Sequence, residues 1–152
     1  MLGNSAGSVP AAMAGISRPD LLSALILEIP LSDLVRHAKW SEGWATEFGD
    51  PDDPEELSAL LEISPYEALQ TPKSLPPTLI LAGENDRTAP PLHAYKLTAA
   101  MQNAQLGNDE ILLLRIPGAG HQIGADSEQR RESQALELAF LAKSLEMEFD
   151  GR

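Results

Sequence analysis

Three side chains of types that together can move a proton and form a bond stand far apart in this chain: Ser5, Asp86 and His121. Ser5 lies in Gly3-Asn4-Ser5-Ala6-Gly7, a G-x-S-x-G spacing. That spacing suits a nucleophilic serine on a strained turn, with glycine at 3 and 7 leaving room for neighbouring backbone and the Ala6 amide facing a developing oxyanion. Asp86 ends the apolar run "PPTLILAGEND", where a carboxylate can orient an imidazole and balance its charge. His121 lies in the glycine-rich "PGAGHQIG", free to act as base and then acid. Each has a plainer reading alone: a flexible Gly/Ser terminus, a turn aspartate, an exposed loop histidine. The other two histidines, His37 and His93, have ordinary structural readings.

The elements that must position these residues follow from the pattern of apolar runs and breakers. Ser8–Ser17 is rich in small helix formers, and its Pro10 is tolerable only in a first turn. Short apolar runs bounded by proline or polar turns predict buried strands at 23–30, 76–86 and 110–117. Helical patterns cover 54–61, 90–105 and 128–148. In the second, Leu92, Tyr95, Leu97 and Met101 are the apolar positions; in the third, Ala135, Leu138, Leu141 and Leu145 form one stripe. Strands alternating with helices predict an α/β domain with a mainly parallel sheet, and such sheets place working residues at strand ends. Ser…Asp…His at the ends of successive strands is the chain order of the α/β-hydrolase fold.

Composition narrows the partners. The 152 residues suit one domain, and 23 acidic against 11 basic residues give a formal charge of -12. That balance argues against nucleic acid and against an anionic membrane surface, both of which need clustered Lys and Arg. No cysteine is present, so disulfides and thiolate metal sites are excluded. No cluster suggests a metal or cofactor, and none is expected. No apolar run approaches the roughly 18 residues of a membrane span. No signal peptide is visible, and the cytoplasm is the expected compartment.

With those residues in place, the chain resembles the C-terminal part of the catalytic domain of the prolyl oligopeptidase family over nearly its whole length. "GNSAGS…SRPDLLSALI", "SDLVRHAKW…GWATEFGDPDD", "ISPYEAL", "LILAGENDRTAPPLHAYKLTAAMQ" and "GAGHQIG" are similar, in order, to five blocks of that family. The resemblance implies a serine peptidase that cleaves short peptides after proline through an acyl-enzyme. It implies Ser5 as nucleophile, Asp86 as acid, His121 as base and the Ala6 amide as oxyanion donor. It also implies Trp44 as the ring that stacks on the substrate proline and Phe48 as a pocket-lining aromatic.

Four departures stand out. The family's substrate-binding arginine, two residues after the acid, falls on Thr88, with Arg87 one residue earlier. Glycines of the family pattern are replaced by Asn4, Ser8 and Gln122. Only Met1-Leu2 stand before Gly3, so residues 1–152 read as a partial catalytic domain that starts at the nucleophile turn, without upstream strands or the gating propeller. The family's second oxyanion donor, a tyrosine, comes from that upstream part. Loss of one such donor costs ~2.7–4 kcal/mol, so the isolated chain is expected to be a weak or inactive catalyst. Two alternatives remain at this point: a non-catalytic α/β remnant that self-associates through an exposed strand edge, and a carboxylesterase on the same three residues.

Overall fold

The structure, a computed structural model, describes residues 1–37, 40 and 45–148. Four strands, β1 (Leu2–Asn4), β2 (Leu25–Glu28), β3 (Thr78–Gly83) and β4 (Ile111–Ile116), form one parallel sheet in the order β1-β2-β3-β4. The register pairs Gly3 with Leu27, Ile80 with Leu27 and Ile80 with Leu113, so the strand ends line up along one rim. Helices α1 (Ser8–Ser17), α2 (Leu34–His37), α3 (Ala45–Phe48), α4 (Pro54–Ile63), α5 (Leu92–Ala104) and α6 (Ser127–Ser144) fill the connections.

Period-two alternation in the strands assigns each face to a helix layer. Leu25, Leu27, Ile80, Ala82 and Ile111 pack against Ala11, Ala12 and Ile16 of α1 and Ala94, Leu97 and Met101 of α5. Ala24, Ile26, Leu79, Leu81 and Ile116 face the other way, onto Phe140 of α6. β3, enclosed on both faces, buries all six of its residues, which is why its sequence is an unbroken apolar run. Pro10 occupies the third position of α1, where its missing N–H is one of the four that a helix leaves without an intrahelical partner. Asp53 and Asp126 cap α4 and α6 by accepting hydrogen bonds from first-turn amides.

α6 turns a different face to the core from the predicted one, while α5 keeps Leu97 and Met101 in the core as predicted and leaves Leu92 outside it. α6 buries Ser133, Glu137, Phe140 and Ala142, while Leu138 and Leu145 are exposed and Leu141 is only half-buried. Alanine and leucine recur on several sides of this helix, so periodicity could not choose among them; the Phe140 ring, seated on Ile26, Leu79 and Leu81, sets the rotation. In α5 the buried positions include His93 and Thr98, and Leu92 is exposed. An apolar cavity of about 410 Å³ between β4 and α6, lined by Leu112, Leu114, Leu136 and Phe140, is the surface counterpart of that rotation.

Candidate active site

β1 delivers Ser5 at its C-terminal end, directly into a 3₁₀ turn (Ser5–Gly7) that runs on into α1. Ser5 has φ +51°, a left-handed conformation that costs a non-glycine residue about 1–2 kcal/mol. The turn needs one glycine, not two. A Cβ on Gly3 would stand 2.6 Å from the Ala11 Cβ and 2.8 Å from the Gly7 carbonyl oxygen, whereas a Cβ on Gly7 would meet nothing within 4 Å. The Ser8 hydroxyl, fully buried, ties the turn to the segment after β2. It lies 2.5 Å from the Ser5 carbonyl oxygen and 3.0 Å from the Leu31 carbonyl oxygen, and accepts from the Leu31 amide at 2.9 Å.

Asp86 follows β3 in a tight turn closed on its own carboxylate. Oδ1 accepts from the amides of Thr88 and Ala89 at 2.8 and 2.9 Å, which aims Oδ2 at the neighbouring loop. That loop, carrying His121, lies across the end of β3. The Asn85 amide donates to the Ala119 carbonyl at 2.8 Å, and a Cβ on Gly83 would stand 2.2 Å from the Gly120 carbonyl oxygen. Gly83 is therefore the residue that lets the histidine loop come close.

The three side chains meet. His121 Nδ1 stands 2.7 Å from Asp86 Oδ2, and His121 Nε2 stands 2.9 Å from Ser5 Oγ. The Asp86 side chain is 1% exposed and can only accept, so Nδ1 carries the proton and the Nε2 lone pair faces the serine hydroxyl. Ala6 sits immediately after Ser5 at the start of the helical turn. Arg87 and Thr88 are exposed beside the carboxylate. Phe48 packs edge-to-face on His37, ring centroids 5.9 Å apart, and joins an apolar cluster of Val9, Leu31, Leu34, Leu60 and Ala89, with Ala6 at its margin. Trp44 lies outside the described residues.

One contributor had no signal in the sequence beyond its residue type. His93 is fully buried and its Nδ1 accepts from the amides of Ser32 and Asp33 at 3.2 and 3.3 Å, while the Ser32 hydroxyl donates to the His93 carbonyl oxygen. Burial, reinforced by the neighbouring His37, lowers its pKa to about 4, so it is a neutral acceptor that fixes the segment after β2. The buried Asp33 carboxylate pairs there with Arg36 and Lys96, and the Lys96 ammonium also stands 4.2 Å from the Tyr66 ring centroid. Among the described residues no three His, Cys, Asp or Glu side chains converge as a metal site would require, and no helix is long and apolar enough to cross a membrane.

The model of the prolyl oligopeptidase family matches residues 1–148. The chain belongs to the prolyl oligopeptidase family. Prolyl oligopeptidase A of Amanita bisporigera is 31% identical over 153 residues, covering 99% of this chain and 20% of that protein. Prolyl oligopeptidase A of Galerina marginata is 30% identical over 146 residues, 94% of this chain and 20% of the relative. The chain thus spans about a fifth of the length of the curated relatives it matches. A structure from a study of two prolyl endopeptidases superposes with a TM-score of 0.88 at 32% identity, over 97% of this chain and 22% of that one. A post-proline cleaving enzyme from Rickettsia typhi superposes with a TM-score of 0.86 at 27% identity, over 97% of this chain and 21% of its own. The fold is that of the α/β-hydrolases.

Within this family frame the departures acquire local partners. Asn4 Nδ2 donates to Glu28 Oε2 at 2.7 Å, Ser8 bridges the turn to Leu31, and Gln122 Oε1 accepts from Arg130 of α6 at 2.9 Å. Thr88 contributes its backbone amide to Asp86.

Proposed function

We propose that residues 1–148 are the triad-bearing part of a serine oligopeptidase that cleaves short peptides on the carboxyl side of proline. The observation that carries this reading is the hydrogen-bonded line Ser5 Oγ, His121 Nε2, His121 Nδ1, Asp86 Oδ2 at 2.9 and 2.7 Å. Ser5 Oγ attacks the scissile carbonyl while Nε2 takes its proton, and the Asp86 carboxylate balances the charge the imidazole gains. The Ala6 amide donates to the oxyanion. His121 then protonates the leaving amine, and a water deprotonated by the same nitrogen hydrolyses the acyl-enzyme.

A proline ring has no N–H to read, so its recognition rests on shape and apolar contact. Ala6 and Phe48, half-buried against the core residues Val9, Leu31 and Ala89, offer the apolar surface that such a ring needs. The family resemblance adds Trp44 as the stacking face. It also makes Arg87 the cation for the substrate backbone, in place of the family's arginine at the position Thr88 occupies. The match to about a fifth of the relatives' length supports treating the chain as one portion of a larger catalytic unit, and turnover by the chain alone is expected to be slow.

A fluorophosphonate probe tests the reading. Labelling of the wild type and none of Ser5→Ala is expected, and a folded wild type that stays unlabelled overturns it. Hydrolysis of a proline-containing peptide amide should fall in Trp44→Ala while hydrolysis of a simple acyl ester does not. Wild-type hydrolysis of the ester with none of the peptide amide would point to an esterase instead.

A further inference from the structure

On the α6 side of the sheet, the C-terminal end of β2 carries a second pair of titratable groups that the triad does not use. Alternation along β2 turns Ala24 and Ile26 toward α6, and Glu28, next in that series, faces the same layer. Glu28 is register partner to Asn4, the residue before Ser5, and Oε2 of Glu28 accepts from Asn4 Nδ2 at 2.7 Å. From α6 comes Glu137, 8% exposed, its Oε1 without a hydrogen-bond partner among the described residues and Glu28 the charge that acts on it.

Among the described residues neither carboxyl is ion-paired with a cation. β1 presents Asn4 to Glu28, and the cluster that Phe140 of α6 joins on this side of the sheet is apolar, with Leu81, Leu114, Ile116 and Ile123. One turn earlier on α6 stands the uncharged Ser133. Two carboxylates in such a place cannot both ionise cheaply; one proton between them turns repulsion into a hydrogen bond. We propose that Glu28 and Glu137 share one proton beneath the nucleophile turn and, through Asn4, are positioning residues that make the seating of Ser5 depend on that proton.

With the proton in place, Glu137 donates to the Glu28 carboxylate, which keeps its free oxygen for the Asn4 amide. Without it, the two carboxylates repel, Glu28 withdraws, and Asn4 loses the acceptor that anchors the end of β1 one residue before the serine. Burial, followed by the charge of Glu28, raises the Glu137 pKa to about 7, which puts the change within the working range of a histidine base.

This inference concerns the serine that the proposed function employs, so one readout is independent of reactivity. In a His121→Ala background, which removes the imidazole's own titration, the Ser5 and Ala6 amide signals should shift with a midpoint near 7. The same signals should stay flat in His121→Ala/Glu137→Gln, whose amide keeps the donor to Glu28 at every pH. Flat signals in His121→Ala, or a titration that survives Glu137→Gln, would overturn the proposal. With His121 present, fluorophosphonate labelling of the wild type should decline above pH 7 and that decline should vanish in Glu137→Gln and in Asn4→Ala. A decline that persists in Glu137→Gln also overturns it, while absence of labelling at every pH tells against the hydrolase reading and leaves the amide titration to decide this one.

Discussion

Replacing Asp86 by asparagine exchanges one carboxylate oxygen for an NH2 group, removes a negative charge and changes almost no volume, and its consequence can be worked from the hydrogen bonds around it. Oδ1 accepts from the Thr88 and Ala89 amides at 2.8 and 2.9 Å, so the asparagine carbonyl must occupy that position. The reverse orientation would set an NH2 against two N–H donors and lose both bonds, each worth about 1 kcal/mol. The asparagine NH2 therefore points at His121 Nδ1, 2.7 Å from the present Oδ2. A donor at that place makes Nδ1 an acceptor and moves the ring proton to Nε2, which then faces Ser5 Oγ as N–H with no lone pair to take the hydroxyl proton. In a triad of this kind the wrong tautomer lowers the rate about 10⁴-fold, or about 5.5 kcal/mol of barrier. The assay is the rate of fluorophosphonate adduct formation on Ser5 by intact mass, at fixed pH, for wild type and Asp86→Asn. Their circular dichroism and melting should agree, because both turn bonds survive. Labelling of Asp86→Asn within tenfold of wild type would refute the assignment of Asp86 as the group that sets the tautomer.

Gly83→Ala places a Cβ where the Gly120 carbonyl oxygen now lies 2.2 Å away, so the His121 loop must shift and labelling should fall at least about tenfold while the sheet persists; wild-type labelling would show that the loop tolerates the displacement. Ser8→Ala removes a buried hydroxyl and leaves the Leu31 amide without its acceptor, a loss of about 1–3 kcal/mol by urea unfolding; a change below about 0.5 kcal/mol would mean that the bridge contributes little. The His93 pKa, lowered to about 4 by burial, means that the unfolded chain binds more protons between pH 6.5 and 4. Stability from this neutral imidazole is therefore complete above pH 6.5 and lost as pH falls through that window, by about 2–3 kcal/mol at pH 4.5. His93→Gln should flatten that dependence, and an unchanged acid slope in the variant would place its cause elsewhere.

Three of the four strands, β2, β3 and β4, and the residues at their ends were legible from the chain because their signals are local, whereas the three-residue β1 shows itself only through its pairing with β2. β3 reads as an unbroken apolar run since both of its faces are enclosed, and a turn after such a run must leave Asp86 at the sheet's rim. The order of Ser5, Asp86 and His121 was likewise readable, as was Gly3, which the crowded turn requires. What the sequence could not contain is which buried polar groups find partners, because those partners come from distant segments. His93 looks like an ordinary helical residue until its acceptor nitrogen meets amides about sixty positions earlier, and Ser8 until it meets Leu31. The same holds for the rotation of α6. Its leucines recur on several sides, so only the seat that the sheet offers Phe140 turns Glu137 inward and leaves Leu138 in solvent. Periodicity along a chain records what each residue prefers, whereas burial is decided by the surface it meets, and that surface exists only once four strands lie side by side.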